Sequence, residues 1–172
     1  MKFYLSGGME YKKGLGKTWR DNITEELSKV DYEVFNPVLQ ELDDEEAKSY
    51  NWKENKLLAN LDSYRHMVRA KMFVKDMVGI QQSNAVVLLY DESVQRGAGT
   101  LAEAWEAFRE AKPLYIISQF SRENIPGWLI GESTALFRTI SDFIEYVSNK
   151  DRVRADVRQA KKVRDQYLGE IY

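Results

Sequence analysis

Apolar positions along this chain recur with two different spacings, and the switches between them predict strands alternating with helices. Phe3-Tyr4-Leu5-Ser6 runs into Gly7-Gly8, the pattern of a short strand ending in a glycine turn. From Lys17 to Lys29, Trp19, Ile23 and Leu27 recur every fourth residue among charges, which predicts one apolar helix face. Tyr32-Glu33-Val34-Phe35 reads as a second strand, ended by Asn36-Pro37 because proline cannot donate to a ladder. Strand, helix, strand suggests a parallel βαβ unit.

Residues 40–52 are acidic and polar, with Glu41, Asp43, Asp44, Glu45 and Glu46, and read as a surface loop or short helix with no chemistry of their own. From Lys53 to Ile80 a long helical pattern carries Leu57, Leu58, Leu61, Tyr64, Val68, Met72 and Ile80 on its apolar side, in one piece or two. It delivers Asp76 near its end. Ala85 to Tyr90 is continuously apolar and rich in valine and leucine, as a central parallel strand buried on both faces requires. A helix opens near Gly99, Pro113 to Ile117 supplies another buried strand, and Ser141 to Val147 a short helix.

This order predicts an open α/β fold of three layers, with a mostly parallel sheet of about five strands and a C-terminal helix. No repeat or linker divides it, so residues 1–148 read as one α/β domain. Residues 149–172 read as a helical extension. Its helix, Lys150 to Leu168, carries only Val153, Val157, Ala160, Val163 and Tyr167 as apolar positions. So thin a stripe suits packing on the outside or against a neighbouring subunit.

Composition narrows the function. At 172 residues with 44% hydrophobic and 30% charged positions, the chain has the make-up of an ordinary globular protein. Twenty-five basic against 27 acidic residues give a net charge of −2, so nothing favours a nucleic-acid polymer or an anionic membrane as partner. A small molecule is the expected ligand. The absence of cysteine excludes thiol catalysis and cysteine-held metal, and a single histidine, His66, excludes a histidine-rich centre, so neither metal nor cofactor is expected. The N-terminal apolar run is too short for a signal peptide and nothing later is long enough to span a membrane, which predicts a cytoplasmic protein.

The candidate chemistry centres on Arg96-Gly97-Ala98-Gly99-Thr100-Leu101-Ala102-Glu103, a glycine-rich turn between the best strand and a helix. Such a turn brings ligand close to backbone N–H groups, and Glu103 stands one turn inside the helix as a fixed carboxylate. Thr100-x-x-Glu103 equally fits a capping box, which satisfies the first amides of a helix; the two roles are compatible. Near a helix N-terminus Glu103 is expected in its ionised form. Asp76 lies before the same strand as Glu103 lies after it, and two carboxylates in different environments suit glycosyl transfer: one attacks a sugar carbon, the other handles the leaving group's proton. Arg96 beside the turn is an anion candidate. Arg65, His66 and Arg69 read as a solvated helix face, and Trp19, Trp52, Trp105 and Trp128 as core or interface residues.

Gly14-Leu15-Gly16-Lys17-Thr18 is not a P-loop, since Tyr11 holds the place of its first glycine. It is not a dinucleotide fingerprint either, because Trp19 holds the place of the third.

Tyr4-Leu5-Ser6-Gly7-Gly8-Met9, Trp19-Arg20, Val34-Phe35-Asn36-Pro37, Asp76 with Ile80 and Ser83-Asn84, and Gly99-Thr100-x-x-Glu103 together resemble the nucleoside 2-deoxyribosyltransferase family, over about residues 3 to 118. The resemblance implies a Rossmann-like fold that cleaves the N-glycosidic bond of a nucleoside or nucleotide through a glutamate nucleophile, here Glu103. It implies that Tyr4 positions that glutamate, that Ser6, Gly7, Gly8 and Met9 belong to the sugar and base pocket with Pro37, and that Asp76 contacts the base or its proton. Discharge of the glycosyl-enzyme to a base makes such an enzyme a transferase, and discharge to water makes it a hydrolase, a glycosidase of nucleotide metabolism. Arg20, Ser93 and Arg96 are candidate ligands for a 5′-phosphate, with Gly97, Gly99 and Thr100 lining the turn. The family forms homodimers or larger homo-oligomers in which a neighbour completes the pocket, a place the terminal Gly169-Glu170-Ile171-Tyr172 is suited to reach.

The sequence departs from the family in two places. Gly97 stands where a serine or aspartate is common, with Asp91 or Ser93 as substitutes, and Asn84 stands where aspartate is frequent. Two alternatives remain: a phosphoribohydrolase of the lysine-decarboxylase-like, cytokinin-activating type, which uses a fuller Pro-Gly-Gly-x-Gly-Thr run than Gln95 to Thr100 provides, and a nucleotide-binding module without turnover.

Overall fold

A computed structural model describes residues 1–57 and 61–169, and of residues 41 and 42 the backbone alone. Leu58 of the long helical pattern and the terminal residues 170–172 lie outside the described residues.

Five strands, β1 (Lys2–Gly7), β2 (Glu33–Phe35), β3 (Ala85–Leu89), β4 (Leu114–Ile117) and β5 (Ala135–Phe137), form one sheet in the order β2-β1-β3-β4-β5. Every pairing is parallel. The chain steps outward from β1 to β2 and then crosses back to β3, so the direction of winding reverses between β1 and β3. In open sheets of this kind the crevice at the carboxyl ends of those two strands is where ligands bind.

Alternation along β1 sorts its side chains into two cores. Phe3 and Leu5 join Val87, Tyr115 and Ile117 on one face, covered by Ile23 and Leu27 of α1 (Lys17–Lys29) and by Phe143 and Val147 of α9 (Ile140–Ser148). Tyr4 joins Val86, Leu88, Leu114 and Ile116 on the other. There Ile80 of α6 (Val74–Gln81), Ala104 and Ala107 of α7 (Gly99–Arg109) and Leu129 of α8 (Gly127–Glu132) close over the sheet. Both faces are covered, as an all-parallel sheet demands.

The unbroken patterns form as expected: α1 spans Lys17–Lys29 and α10 spans Lys150–Leu168. The long pattern does not. It forms α4 (Trp52–Leu57), α5 (Asp62–Met67), a π-helical turn (Val68–Phe73) and then α6. The π turn shifts the chain against the α-helical period: Phe73 at its end and Val74 after it are each 58% exposed, while Leu57, in its own short helix, is 80% exposed. The acidic stretch forms α2 (Pro37–Leu42) and α3 (Glu45–Ser49), with Asp44 capping the second and pairing with Lys71 and Lys75. Proline suits the first helical position, where its missing N–H costs no bond.

On α10, Val153 is fully buried in the core beside Phe143 and Val147, and Asp156 accepts hydrogen bonds from Tyr115 (2.8 Å) and Tyr146 (3.1 Å). Those bonds tie the helix to this chain's own sheet. Among the described residues no helix is long and apolar enough to cross a membrane.

Candidate active site

Three elements meet at the reversal point. The Tyr4 side chain from β1 points toward α6 and α7, where its hydroxyl lies 2.9 Å from Asp76 Oδ1 and 2.9 Å from Glu103 Oε1. Two residues on, and therefore on the same face, Ser6 donates to Glu103 Oε2 at 2.5 Å. The helix carries Glu103 inward while the strand supplies both hydroxyls.

The capping-box expectation is overturned. Ala98 is the N-cap of α7 with no side-chain cap bond, Thr100 is already inside the helix, and the Glu103 carboxylate is taken by Tyr4 and Ser6. The expectation of an ionised Glu103 is corrected as well. Glu103 is only 9% exposed, and burial first, then the nearby charge of Asp76, push its pKa up to about 8 against the pull of Ser6, Tyr4 and Arg20. Loss of hydration outweighs the field of the helix start. Burial, with the two carboxylates beside it, likewise raises the Tyr4 phenol.

The glycines that matter sterically are not those of the turn. A Cβ on Gly8 would lie 2.1 Å from Ser93 Oγ, so the loop after β1 packs directly on the loop after β3. A Cβ on Gly7 would lie 2.8 Å from the Trp19 ring. Gly97, by contrast, is extended (φ −125°) with no atom nearer than 3.8 Å to an added Cβ, and Gly99 has open space. Lys12 pairs with Asp91 across the two loops, and Ser93 donates to Asp91 through both its hydroxyl and its backbone N–H. Burial opposes charge on Asp91, but Lys12 and Ser93 outweigh it and hold the carboxyl below its usual range.

Arg20 is turned inward. It is 0% exposed and donates to the carbonyls of Gly7 (2.8 Å), Leu15 (2.9 Å) and Gly16 (3.4 Å), which leaves its guanidinium binding the β1 loop rather than facing a ligand. Its burial lowers its own pKa, opposed by the charges of Glu103, Tyr4 and Asp76. Pro37 is buried at the start of α2 and Met9 is half-buried in the β1 loop.

A cleft of about 870 Å³ opens along the same sheet edge, lined by the ends of β3 and β4 and by the start of α9. Lys12, Lys13, Arg96 and Arg138 outnumber Asp91 and Glu92 along it and give it a basic rim over Leu89, Ile117 and Phe120. Ser93 and Arg96 reach it, the Arg96 guanidinium lying 4.6 Å from the centre of the Tyr11 ring. Tyr4, Asp76 and Glu103 are not among its walls. The carboxylate cluster gathers on the Tyr4 face of β1. Among the described residues no group of histidine, aspartate or glutamate is arranged to hold a metal ion.

The supporting contacts of two residues, Phe35 and Gly79, escaped sequence reasoning. Phe35 stacks on Tyr4 with ring centres 5.5 Å apart, and α6 comes so close that a Cβ on Gly79 would lie 2.6 Å from the Phe35 ring. The signal was the shared period of β1 and β2, which pairs Tyr4 with Phe35.

The fold is shared with a 2-deoxyribosyltransferase from the psychrotolerant bacterium Bacillus psychrosaccharolyticus: the TM-score is 0.60 at 18% identity, over 85% of this chain and 92% of that one. A CMP N-glycosidase of Clostridium botulinum superposes with a TM-score of 0.47 at 12% identity, over 86% of this chain and 98% of that one. No protein-family model and no curated protein sequence matches the chain.

Proposed function

We propose that this protein is an enzyme that cleaves the N-glycosidic bond of a nucleoside or nucleoside 5′-monophosphate, with Glu103 as nucleophile. The observation that carries the reading is the Tyr4 hydroxyl held between Asp76 and Glu103 at the reversal point of the sheet. The two carboxylate oxygens stand no farther apart than those two bonds laid end to end. That spacing suits a double displacement, in which paired carboxyl groups stand ~5–5.5 Å apart.

In the first step a Glu103 oxygen bonds to C1′ as the C1′–N bond breaks, and the departing base takes a proton from Asp76. In the second, water or an acceptor base attacks C1′, gives a proton back to Asp76 and frees Glu103. Gly7, Gly8 and Met9 line the sugar side. The basic rim of Lys12, Lys13, Arg96 and Arg138 at the same edge favours a substrate that bears phosphate.

The test is incubation with deoxynucleosides, ribonucleosides and their monophosphates, with and without a free acceptor base, followed by chromatography of released base and exchanged product. Glu103→Gln is expected to abolish release. Binding of these compounds by the folded protein without any base release would overturn the reading.

A further inference from the structure

The Tyr4 hydroxyl carries one proton yet lies at hydrogen-bond distance from two carboxylate oxygens, Asp76 Oδ1 and Glu103 Oε1. It can donate to only one of them. The second contact is a hydrogen bond only if that carboxyl is protonated and donates to the phenol oxygen. Among the described residues Ser6 finds no acceptor except Glu103 Oε2, so that oxygen is occupied as an acceptor and a proton on Glu103 belongs on Oε1, facing Tyr4.

We propose that Tyr4 is a proton relay: the proton on Glu103 Oε1 passes to the Tyr4 oxygen as the Tyr4 proton passes to Asp76 Oδ1. The tyrosine ends neutral, and the net change is one proton moved from Glu103 to Asp76. The inference rests on the glycosidic reading for its use. One concerted shift turns an inert pair, protonated Glu103 beside ionised Asp76, into the armed pair, an ionised nucleophile beside an acid for the leaving base. Burial favours the neutral form of Glu103 while Ser6 and Arg20 favour the ionised one, so at rest the proton is shared between the two ends of the relay. The groups whose charge bears on it are the carboxylates themselves and Arg20 from α1, which Asp91 in the loop after β3 in turn helps to keep charged. The phenol, held well above its ordinary range, passes protons without ionising.

Two experiments test it. In the substrate-free protein labelled with ¹³C at aspartate and glutamate carboxyls, one proton exchanging through Tyr4 holds both Asp76 and Glu103 carbons at intermediate shifts across a shared pH window. In Tyr4→Phe the proton is fixed, and one carbon takes its protonated shift while the other takes its ionised shift. If the wild type already shows that fixed pattern, the relay is overturned, whatever the enzyme's activity. In turnover, Tyr4→Phe is expected to slow base release about 100-fold with KM little changed, and small acids such as acetic acid or imidazolium to restore part of the rate in proportion to concentration. A loss that no added acid restores, at unchanged pH profile, marks Tyr4 as a positioning residue only and overturns the relay. Absence of base release by the wild type from every substrate would instead refute the glycosidic reading and leave the carboxyl titration to judge the relay.

Discussion

Ser6 donates to Glu103 Oε2 at 2.5 Å across 97 positions of sequence, and with Tyr4 on the other oxygen it fixes the place of the carboxylate and opposes its protonation. A bond to the ionised form favours that form. Removal of the Ser6 hydroxyl therefore pushes the Glu103 pKa, already raised, further up. Ser6→Ala is expected to lower kcat at pH 7 about tenfold, since each pKa unit is worth ~1.4 kcal/mol, and to move the alkaline-going limb of the pH–rate profile upward. A variant slower than the wild type at pH 7 that matches it at pH values above both alkaline limbs has lost charge control and kept its fold.

Glu103 also makes the protein's stability depend on pH. Its pKa rises from 4.5 to about 8 on folding, so between those values the folded state binds the extra proton. Stability from this group is complete below the unfolded value and is lost as pH rises through the folded one. Gln at this position mimics the protonated acid and does not titrate. Glu103→Gln should therefore match the wild type in Tm near pH 4 and exceed it by a few °C near pH 8, while losing base release by 10³-fold or more. Equal melting curves at both pH values would show that Glu103 carries no such penalty.

The pair of carboxylates and the strand that separates them were legible because a buried strand, a glycine turn and a helix leave few places for Glu103 to stand. So were α1 and α10, whose periods run unbroken from cap to cap. The π turn was not, since it keeps apolar composition while shifting its phase, and only the burial of Ile80 beside the exposure of Val74 betrays it. β5 was not seen as an element, because three residues at a sheet edge offer no alternation to count. Arg20 reads as a candidate phosphate ligand; it takes the three-dimensional convergence of the Gly7, Leu15 and Gly16 carbonyls to turn it inward. Local patterning specifies which residues are near the site, whereas their protonation and aim depend on contacts between distant segments.

Gly79 bears on the site at second hand. In an open helix Gly→Ala stabilises by ~1 kcal/mol, but here the new methyl would stand 2.6 Å from the Phe35 ring. Overpacking of that kind costs about 1–3 kcal/mol, and the ring it displaces is the one stacked on Tyr4. Gly79→Ala is expected to be destabilised despite its better helix propensity, and to lose kcat by more than KM changes. Calorimetry with steady-state kinetics on the same sample checks both; a more stable and fully active variant would place Phe35 outside the support of Tyr4.

On the proposed reading, the basic rim is what would distinguish a nucleotide from a nucleoside. Lys12 is engaged by Asp91 and Arg138 donates to the Phe120 carbonyl, whereas the Arg96 guanidinium rests on the Tyr11 ring at the mouth of the cleft. A phosphate that pairs with Arg96 adds about 1.4 kcal/mol, or tenfold in affinity, at such an open position only when salt is low. Arg96→Ala should therefore raise KM about tenfold for a nucleoside monophosphate and leave KM for the free nucleoside unchanged, with kcat the same for both, and the difference should shrink in high salt. An equal change for both substrates would mean that Arg96 supports the loop through Tyr11, and that the phosphate, if one is bound, is held elsewhere along the edge.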